Sequence, residues 1–250
     1  MRRIAFIVSS LDTGGAQRAV SNIVTNWPDN WEIDIILNNA TIIKYPYKGN
    51  IIDLKMKLKT ISDVMNQNKQ YLVELDQFNG DGDLGISMSA GFGAVNDYLH
   101  SSDENDLGKA LAKCGNAFNE AAPSSLGTII SFAFLGMAKA LKGKTEASPE
   151  EMAQALDEGV KKIKEKTGSK EGERTVLDAL CPAVTVLNEK IAEPKSALIA
   201  AAQAAAEGAE ATKQMIPVHG RAAYYGEKSL GHYDGGAVAG KLIFEALAQN

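Results

Sequence analysis

The feature that most constrains the fold is the helical spacing of apolar residues from Leu54 to the C-terminus. The first predicted helix runs from Leu54 to Leu75, with its leucines, isoleucine and methionine recurring every three or four residues. Seven further segments show the same pattern, at about residues 86–99, 105–121, 125–141, 149–166, 173–190, 195–214 and 236–248. Short connections favour antiparallel neighbours, so the sequence predicts a mainly α domain of eight helices over residues 54–250.

The first fifty or so residues follow a different pattern. "RRIAFIVSS" and "WEIDIIL" (31–37) are typical of buried strands, and between them "DTGG" (12–15) and "AQRAVSNIVTNW" predict a turn and a helix. This β-α-β opening resembles family-4, GT-B-type glycosyltransferases, which carry a similar "GGAxR" turn. The second Rossmann domain that grips a sugar nucleotide has no counterpart in the pattern after Leu54. We therefore expect residues 1–53 to be an appendage without sugar-transferase activity.

Composition and charge exclude several classes of function. Since the longest apolar runs are far below the roughly 18–20 residues that span a bilayer, no membrane is expected and we predict a cytoplasmic protein. The net charge is −5, without a long basic stripe, which argues against a nucleic-acid partner. Cys114 and Cys181 are far apart and form no C-x-x-C pair, so they indicate neither a disulfide framework nor a zinc site.

Three carboxylates are concentrated in "DQFNGDGDLG", at the end of the first predicted helix. Asp76, Asp81 and Asp83 are interleaved with glycines that allow tight turns. At a spacing of roughly 6 Å and an effective dielectric of about 20, each charged pair repels by about 2–3 kcal/mol. The cluster therefore predicts a bound cation.

Three other glycine-bearing loops supply the remaining parts of a phosphoryl-transfer site. "APSSLGT" (122–128) opens a helix with hydroxyls and backbone N–H groups suited to phosphate. "EGERTVLDAL" (171–180) and "HGRAAYYGEKSLGHYDGGA" (219–237) add a threonine, an arginine and further carboxylates. Carboxylates for Mg²⁺, donors for phosphate and a guanidinium are what phosphoryl transfer requires.

Simpler interpretations accompany each motif. A single Asp/Gly loop is often a solvated turn, Thr175 and Asp178 also suit helix capping, and Arg221 also suits a structural clamp. An EF-hand fits poorly, because Leu84 stands where the calcium loop needs glycine. "GKT" (143–145) lacks the first glycine and the preceding strand of a Walker A motif.

In combination, "DQFNGDGDLG", "SSLGT", "GERTVLDAL" and "GRAAYYGEKSLGHYDGGA" resemble the L subunit of dihydroxyacetone kinase over residues 54–250. The resemblance implies a closed antiparallel barrel of eight helices with a nucleotide, ATP or ADP, at one end. It implies that Asp76, Asp81 and Asp83 bind two Mg²⁺ ions, and that Arg221 is a candidate for phosphate stabilisation. The implied nucleotide-binding residues are Leu84, Ser87, Met88, Ser124, Ser125, Gly127, Gly172, Thr175, Val176, Arg221, Asp234 and Gly236.

Two positions depart from the family pattern, because Leu84 replaces a histidine and Ser87 an asparagine. The resemblance further implies a K-type partner subunit that holds a small ketone or polyol. Two phosphate donors stay open, free ATP or a phosphotransferase-system phosphoprotein that recharges bound ADP. The alternative function is that of a non-catalytic, nucleotide-binding regulatory subunit.

Overall fold

The computed structural model describes residues 2–8, 31–37 and 49–249. The chain divides into two compact units, Met1–Pro46 and Tyr47–Asn250. The first helix of the second unit begins at Ile51, so the boundary predicted between residues 53 and 54 falls inside that helix. The division therefore comes seven residues earlier than the sequence pattern suggested.

The first unit contains the two strands that the sequence predicted. β1 (Arg2–Val8) pairs in parallel with β2 (Trp31–Leu37), in a register that sets Arg2 opposite Trp31 and Val8 opposite Leu37. Parallel neighbours need a crossover connection, as in a β-α-β unit. The helix predicted within residues 16–27 lies outside the described residues, and so does most of the segment that follows β2.

The second unit is mainly helical, as predicted. Its short strands β3 (Gly49–Asn50) and β4 (Glu146–Ala147) pair antiparallel. Its α-helices are α1 (Ile51–Gln67), α2 (Lys69–Asn79), α3 (Leu84–Ser101), α4 (Leu107–Ala121), α5 (Ser125–Ala140), α6 (Pro149–Thr167), α7 (Leu177–Lys190), α8 (Pro194–Ala211) and α9 (Gly235–Ala248). None of the helices in the described part of the chain is long and apolar enough to cross a membrane.

Eight of these helices form a closed ring. Each of α3 to α8 packs against the next helix in sequence. The last helix, α9, packs against α1, and α1 packs against α3. The closing pair is tied by a hydrogen bond from Lys57 Nζ in α1 to the carbonyl of Leu247 in α9 (2.8 Å). The short helix α2 lies beside α3 and α9. The eight predicted helices thus correspond to the ring, with the first of them divided into α1 and α2.

Neighbouring helices in the ring run antiparallel. Lys55, near the start of α1, donates to the carbonyl of Ser102, just beyond the end of α3 (3.0 Å). The backbone N–H of Leu107, where α4 begins, donates to the carbonyl of Lys144, just beyond the end of α5 (2.7 Å). An antiparallel ring places the starts of α3, α5, α7 and α9 at one end and their last turns at the other.

The interior of the ring is apolar and holds a cavity of about 250 Å³. Its walls include leucine and phenylalanine side chains from opposite sides of the barrel, such as Leu58, Phe92, Phe134 and Phe244. Asp53, Pro149, Pro194 and Leu247 line its rim, and they lie at the end where α1, α6 and α8 begin. The polar loops identified in the sequence lie at the opposite end.

Several helix limits differ from the sequence prediction. The first predicted helix is interrupted at Asn68, where the Val64 carbonyl accepts both the side-chain amide (2.9 Å) and the backbone N–H (3.0 Å) of Asn68. The helix predicted from residue 173 begins at Leu177, and the one predicted to end at residue 214 ends at Ala211, before a 3₁₀ turn (Thr212–Gln214). The predicted start at "SPEE" is confirmed, since Ser148 and Glu151 form a capping box.

Removing residues 1–46 is expected to leave the free energy of unfolding of the barrel unchanged, because these residues form a separate compact unit. Removing residues 1–53 deletes β3 and the first residues of α1, and should cost about 1–3 kcal/mol. Urea unfolding of both truncated chains, followed by circular dichroism, measures the difference. Equal stability of the two chains would show that β3 and the start of α1 contribute nothing.

Candidate functional site

Four helices begin at the same end of the barrel. The Leu84 side chain, at the start of α3, packs against Gly235, at the start of α9. Gly236 lies beside the backbone N of Val176, where α7 begins. Helix N-termini carry free N–H groups and the positive end of the helix dipole, so together they favour a negatively charged ligand.

The three aspartates of the first loop (residues 76–85) form a single cluster. A carboxylate oxygen of each of Asp76, Asp81 and Asp83 lies within 4.8 Å of those of the other two. The loop is shaped by Asp76 Oδ2, which accepts hydrogen bonds from the backbone N–H groups of Gly82 (2.8 Å) and Asp83 (3.1 Å). Gly82 has a φ of 76°, a conformation that favours glycine. The sequence thus folds the chain back so that its carboxylates converge.

The mutual repulsion of the three carboxylates is relieved by a positive charge. Burial, followed by repulsion from Asp81 and Asp76, raises the pKa of the Asp83 carboxyl above its usual value. The Arg221 guanidinium supplies part of the compensation, with Nη1 2.6 Å from Asp81 Oδ2. Three hard oxygen donors at this spacing fit Mg²⁺, which prefers carboxylates and water. The structure therefore brings together the four residues that the sequence assigned to metal and phosphate charge.

The second loop (residues 122–128) contains the start of α5. Ser124 is the N-cap, and its Oγ accepts the backbone N–H of Gly127 (3.1 Å). Thr128 Oγ1 donates to Asn119 Oδ1 near the end of α4 (3.3 Å), which fixes this start at the polar end of the barrel. Ser124, Ser125 and Gly127 thus present the start of α5 at the same end as the carboxylate cluster.

The third loop (residues 171–180) is held in place by the carboxylate of Asp178. Asp178 Oδ1 accepts the backbone N–H of Gly172 (2.5 Å), and its Oδ2 accepts that of Thr175 (2.6 Å). Thr175 Oγ1 in turn accepts the N–H of Leu177 (3.2 Å). These bonds keep Gly172 to Val176 out of the helix. Thr175 therefore has the capping role considered for it, whereas Asp178 binds N–H groups of the loop that precedes the helix.

The N-terminus of α9 is capped by Asp234. Its Oδ2 accepts the N–H of Ala237 (2.7 Å), and its backbone N–H donates to Thr212 Oγ1 (3.0 Å). Desolvation raises the pKa of Asp234 to about 6, although the Ala237 N–H and the Arg174 charge oppose this shift. Gly236 lies directly against Asp234 and Val176, so the third and fourth loops meet here.

The first residues of α3 are more buried than the rest of the site. Leu84 and Ser87 are each 7% exposed and Met88 is fully buried. Leu84, which replaces the family histidine, therefore packs among apolar side chains at the base of the polar end. Contact of these three residues with a nucleotide stays a prediction.

Sequence reasoning missed Arg174. It is 3% exposed, and it is the one non-glycine residue with positive φ (59°) among the described residues. Its Nη2 donates to the carbonyls of His232 (3.0 Å) and Tyr233 (3.3 Å). No spacing in the sequence indicates these contacts, because the partners are 58 and 59 residues away.

The chain is thus a closed ring of antiparallel helices with a cluster of carboxylates at one end, which is the class of fold to be compared with known families. The DAK2 domain family matches residues 79–249, and the chain belongs to that family. The match begins at residue 79, so the glycosyltransferase resemblance of residues 1–53 stays a prediction.

Individual relatives cover most of the chain. It is 31% identical over 192 residues to the PEP-dependent dihydroxyacetone kinase 1, ADP-binding subunit DhaL, of Listeria innocua, covering 77% of this chain and 92% of the relative. It is 29% identical over 194 residues to the ADP-binding subunit DhaL of the PEP-dependent dihydroxyacetone kinase of Escherichia coli K12, covering 76% and 92%. The resemblance to the L subunit is therefore confirmed.

A solved structure has the same fold. The crystal structure of the dihydroxyacetone kinase from C. freundii in complex with AMP-PNP and Mg²⁺ is 28% identical, with a TM-score of 0.65. The match covers 86% of this chain and 36% of that one. This chain therefore corresponds to about a third of the longer enzyme.

Proposed function

We propose that this chain is the nucleotide-binding subunit of a dihydroxyacetone kinase, which binds ADP or ATP with Mg²⁺ and passes a phosphoryl group to a small ketone or polyol held by a K-type partner. The observation that carries the proposal is the convergence of Asp76, Asp81 and Asp83 at the end of the barrel where four helices begin. Carboxylates alone would repel a nucleotide, and helix N-termini alone would not hold a metal. Together they suit a metal–nucleotide complex.

Each group has a defined task in this proposal. The three aspartates hold two Mg²⁺ ions, which when bound neutralise the phosphate oxygens. Backbone N–H groups at the start of α5, next to Ser124, Ser125 and Gly127, bind phosphate. Arg221, beside Asp81, stabilises charge on the transferred group.

The remaining residues shape the wall of the nucleotide site. Gly172, Thr175 and Val176 contribute the loop that Asp178 holds, and Asp234 and Gly236 contribute the start of α9. Leu84, Ser87 and Met88 form the base. No catalytic base is assigned, because transfer depends chiefly on positioning and charge neutralisation.

The names of the relatives support an ADP-binding role. The match extends over 92% of the L. innocua and E. coli proteins, whose names describe an ADP-binding subunit of a PEP-dependent kinase. A further relative from Lactococcus lactis is named as the ADP-binding subunit of a PTS-dependent kinase. We therefore favour bound ADP, recharged by a phosphoprotein, over exchange with free ATP.

Two measurements test nucleotide binding. After bound ADP has been removed by dialysis against EDTA, calorimetry should detect ADP binding in the presence of Mg²⁺ and at least a tenfold weaker affinity in EDTA. Chromatography of the nucleotide released by denaturing the freshly purified chain should show ADP in near-stoichiometric amount. Binding that is equally strong without a divalent ion would refute the metal assignment, and no binding under either condition would refute the proposed function.

A further inference from the structure

The segment from Ile216 to Asp234 is anchored at its start by Glu173. The backbone N–H of Val218 donates to the Glu173 carbonyl (3.3 Å), and His219 Nε2 lies 2.7 Å from Glu173 Oε2. The His219 contact and the Lys170 backbone N–H lower the pKa of the Glu173 carboxyl, so the carboxylate is charged and suited to hold the imidazole.

The end of the same segment is anchored by the next residue in the chain. Arg174 Nη2 donates to the carbonyls of His232 (3.0 Å) and Tyr233 (3.3 Å), which directly precede the N-cap Asp234. Two adjacent residues of the third loop thus hold both ends of the fourth. The positive φ of Arg174 lets the chain turn between them, so that Glu173 stays at the surface while Arg174 is buried.

A contribution to the stability of the fold does not explain why an arginine occupies position 174. Its Nε and Nη1 are buried and have no hydrogen-bond partner within the described residues. Desolvation lowers the pKa of Arg174 even though the Asp234 carboxyl opposes this shift, so the buried guanidinium is only partly compensated. A left-handed backbone at a residue with a side chain is unfavourable as well. An apolar side chain of similar length would avoid the desolvation. The residue is better explained by what it holds in place.

What it holds in place is Arg221. This residue begins a 3₁₀ turn within the anchored segment and reaches Asp81 with its guanidinium. The side chains of Arg221 and Asp81 are 65% and 45% exposed, and exposed ion pairs contribute little. The ion pair is therefore too weak to fix the segment. The position of Arg221 depends instead on the contacts that hold the segment, which are the two anchors and the Phe78 ring stacked on His232 (centroids 3.7 Å apart).

We propose that Arg174 is a positioning residue that acts on the nucleotide site through Arg221, by fixing the end of the segment that carries it. Gly231 also donates to the Lys213 carbonyl (2.8 Å), which ties the segment to the turn after α8. The Arg174 contacts instead tie the segment to the loop of Thr175, so they set the two walls of the site relative to each other. This inference rests on the proposed nucleotide-binding function.

A double-mutant cycle tests the proposal in the full-length chain. Arg174→Met keeps the length of the side chain and should weaken ADP binding in Mg²⁺ about tenfold by calorimetry. Arg221→Met should weaken it by at least as much, and the double variant should be no weaker than Arg221→Met alone. Arg174→Lys retains one donor and should recover part of the affinity. Lys195→Met, on the exposed start of α8, is the matched control and should leave affinity unchanged.

A second readout does not require nucleotide. Hydrogen exchange of residues 216–233 in the nucleotide-free chain should be faster in Arg174→Met than in the unmodified chain or in Lys195→Met. Additive losses of affinity in the cycle, or unchanged exchange in this segment, would overturn the positioning role. If Arg174→Met does not fold, Arg174→Lys takes its place in both measurements. A failure of the proposed function is distinguished by the unmodified chain, which would then not bind ADP at all.

Discussion

Replacing Asp81 with asparagine is expected to abolish Mg²⁺-dependent ADP binding while the helical circular dichroism stays unchanged. Asp81 is the most informative of the three aspartates, because it is exposed and faces both the cluster and Arg221. Asp76 also shapes its loop by accepting two backbone N–H groups, so its loss would mix two effects. Removing one of three carboxylate ligands should reduce affinity at least about 100-fold, or ~2.7 kcal/mol.

The control for this substitution is Asp97→Asn, which removes one charge from the exposed face of α3. It should leave both ADP affinity and the thermal midpoint unchanged. The two variants have the same net charge, so long-range electrostatics cannot account for a difference between them. Near-normal ADP binding by Asp81→Asn would show that the cluster is not the metal site.

The isolated chain is expected to phosphorylate free dihydroxyacetone slowly or not at all, and addition of a K-type subunit should restore transfer. In-line transfer requires the acceptor oxygen within about 3–3.5 Å of phosphorus, and correct placement lowers the barrier by several kcal/mol. The proposed function assigns the carboxylates, the helix starts and Arg221 to metal and phosphate, and it leaves the three-carbon ketone to the partner.

The measurement is product formation with Mg²⁺·ATP or with a phosphotransferase-system phosphoprotein, each with and without the partner. Asp81→Asn combined with the same partner is the control, and should give no product. Rapid turnover by the chain alone would overturn the need for a partner. Absence of transfer with every K-type partner and donor would favour the regulatory function instead.

The ring and the metal cluster could be predicted because their signals are local. Apolar residues at helical spacing mark each helix face, and Ser148 with Glu151 marks a helix start in four residues. The aspartates lie within eight residues of one another, so their convergence requires only one folded loop. Such patterns are visible in a single sequence.

The parts that could not be predicted depend on tertiary contacts. The apolar spacing of "ERTVLDAL" favours a helix from residue 173, but Asp178 binds the N–H groups of Gly172 and Thr175 and delays its start to Leu177. Arg174 resembles a surface residue until its partners, 58 residues away, are placed beside it.

Gly208, which lowers helix propensity in the alanine-rich α8, has a tertiary explanation of the same kind. A Cβ at this position would lie 1.9 Å from the Asp178 carbonyl oxygen of α7. That oxygen lacks its usual helical donor because Pro182, four residues later, has no N–H. The glycine and the proline together allow α7 and α8 to approach closely beside the third loop.

Because α1 packs against α9, the first helix of the barrel to be synthesised can complete its contacts only after the last one has been made. Lys57 and the Leu247 carbonyl that it binds are separated by 190 residues. At a synthesis rate of about 5–20 residues per second, that separation corresponds to about 10–40 s. During this interval α1 can pack against α3, but the side of the barrel that α9 closes is still open. The apolar interior is therefore covered only after the fourteen residues of α9 have been made.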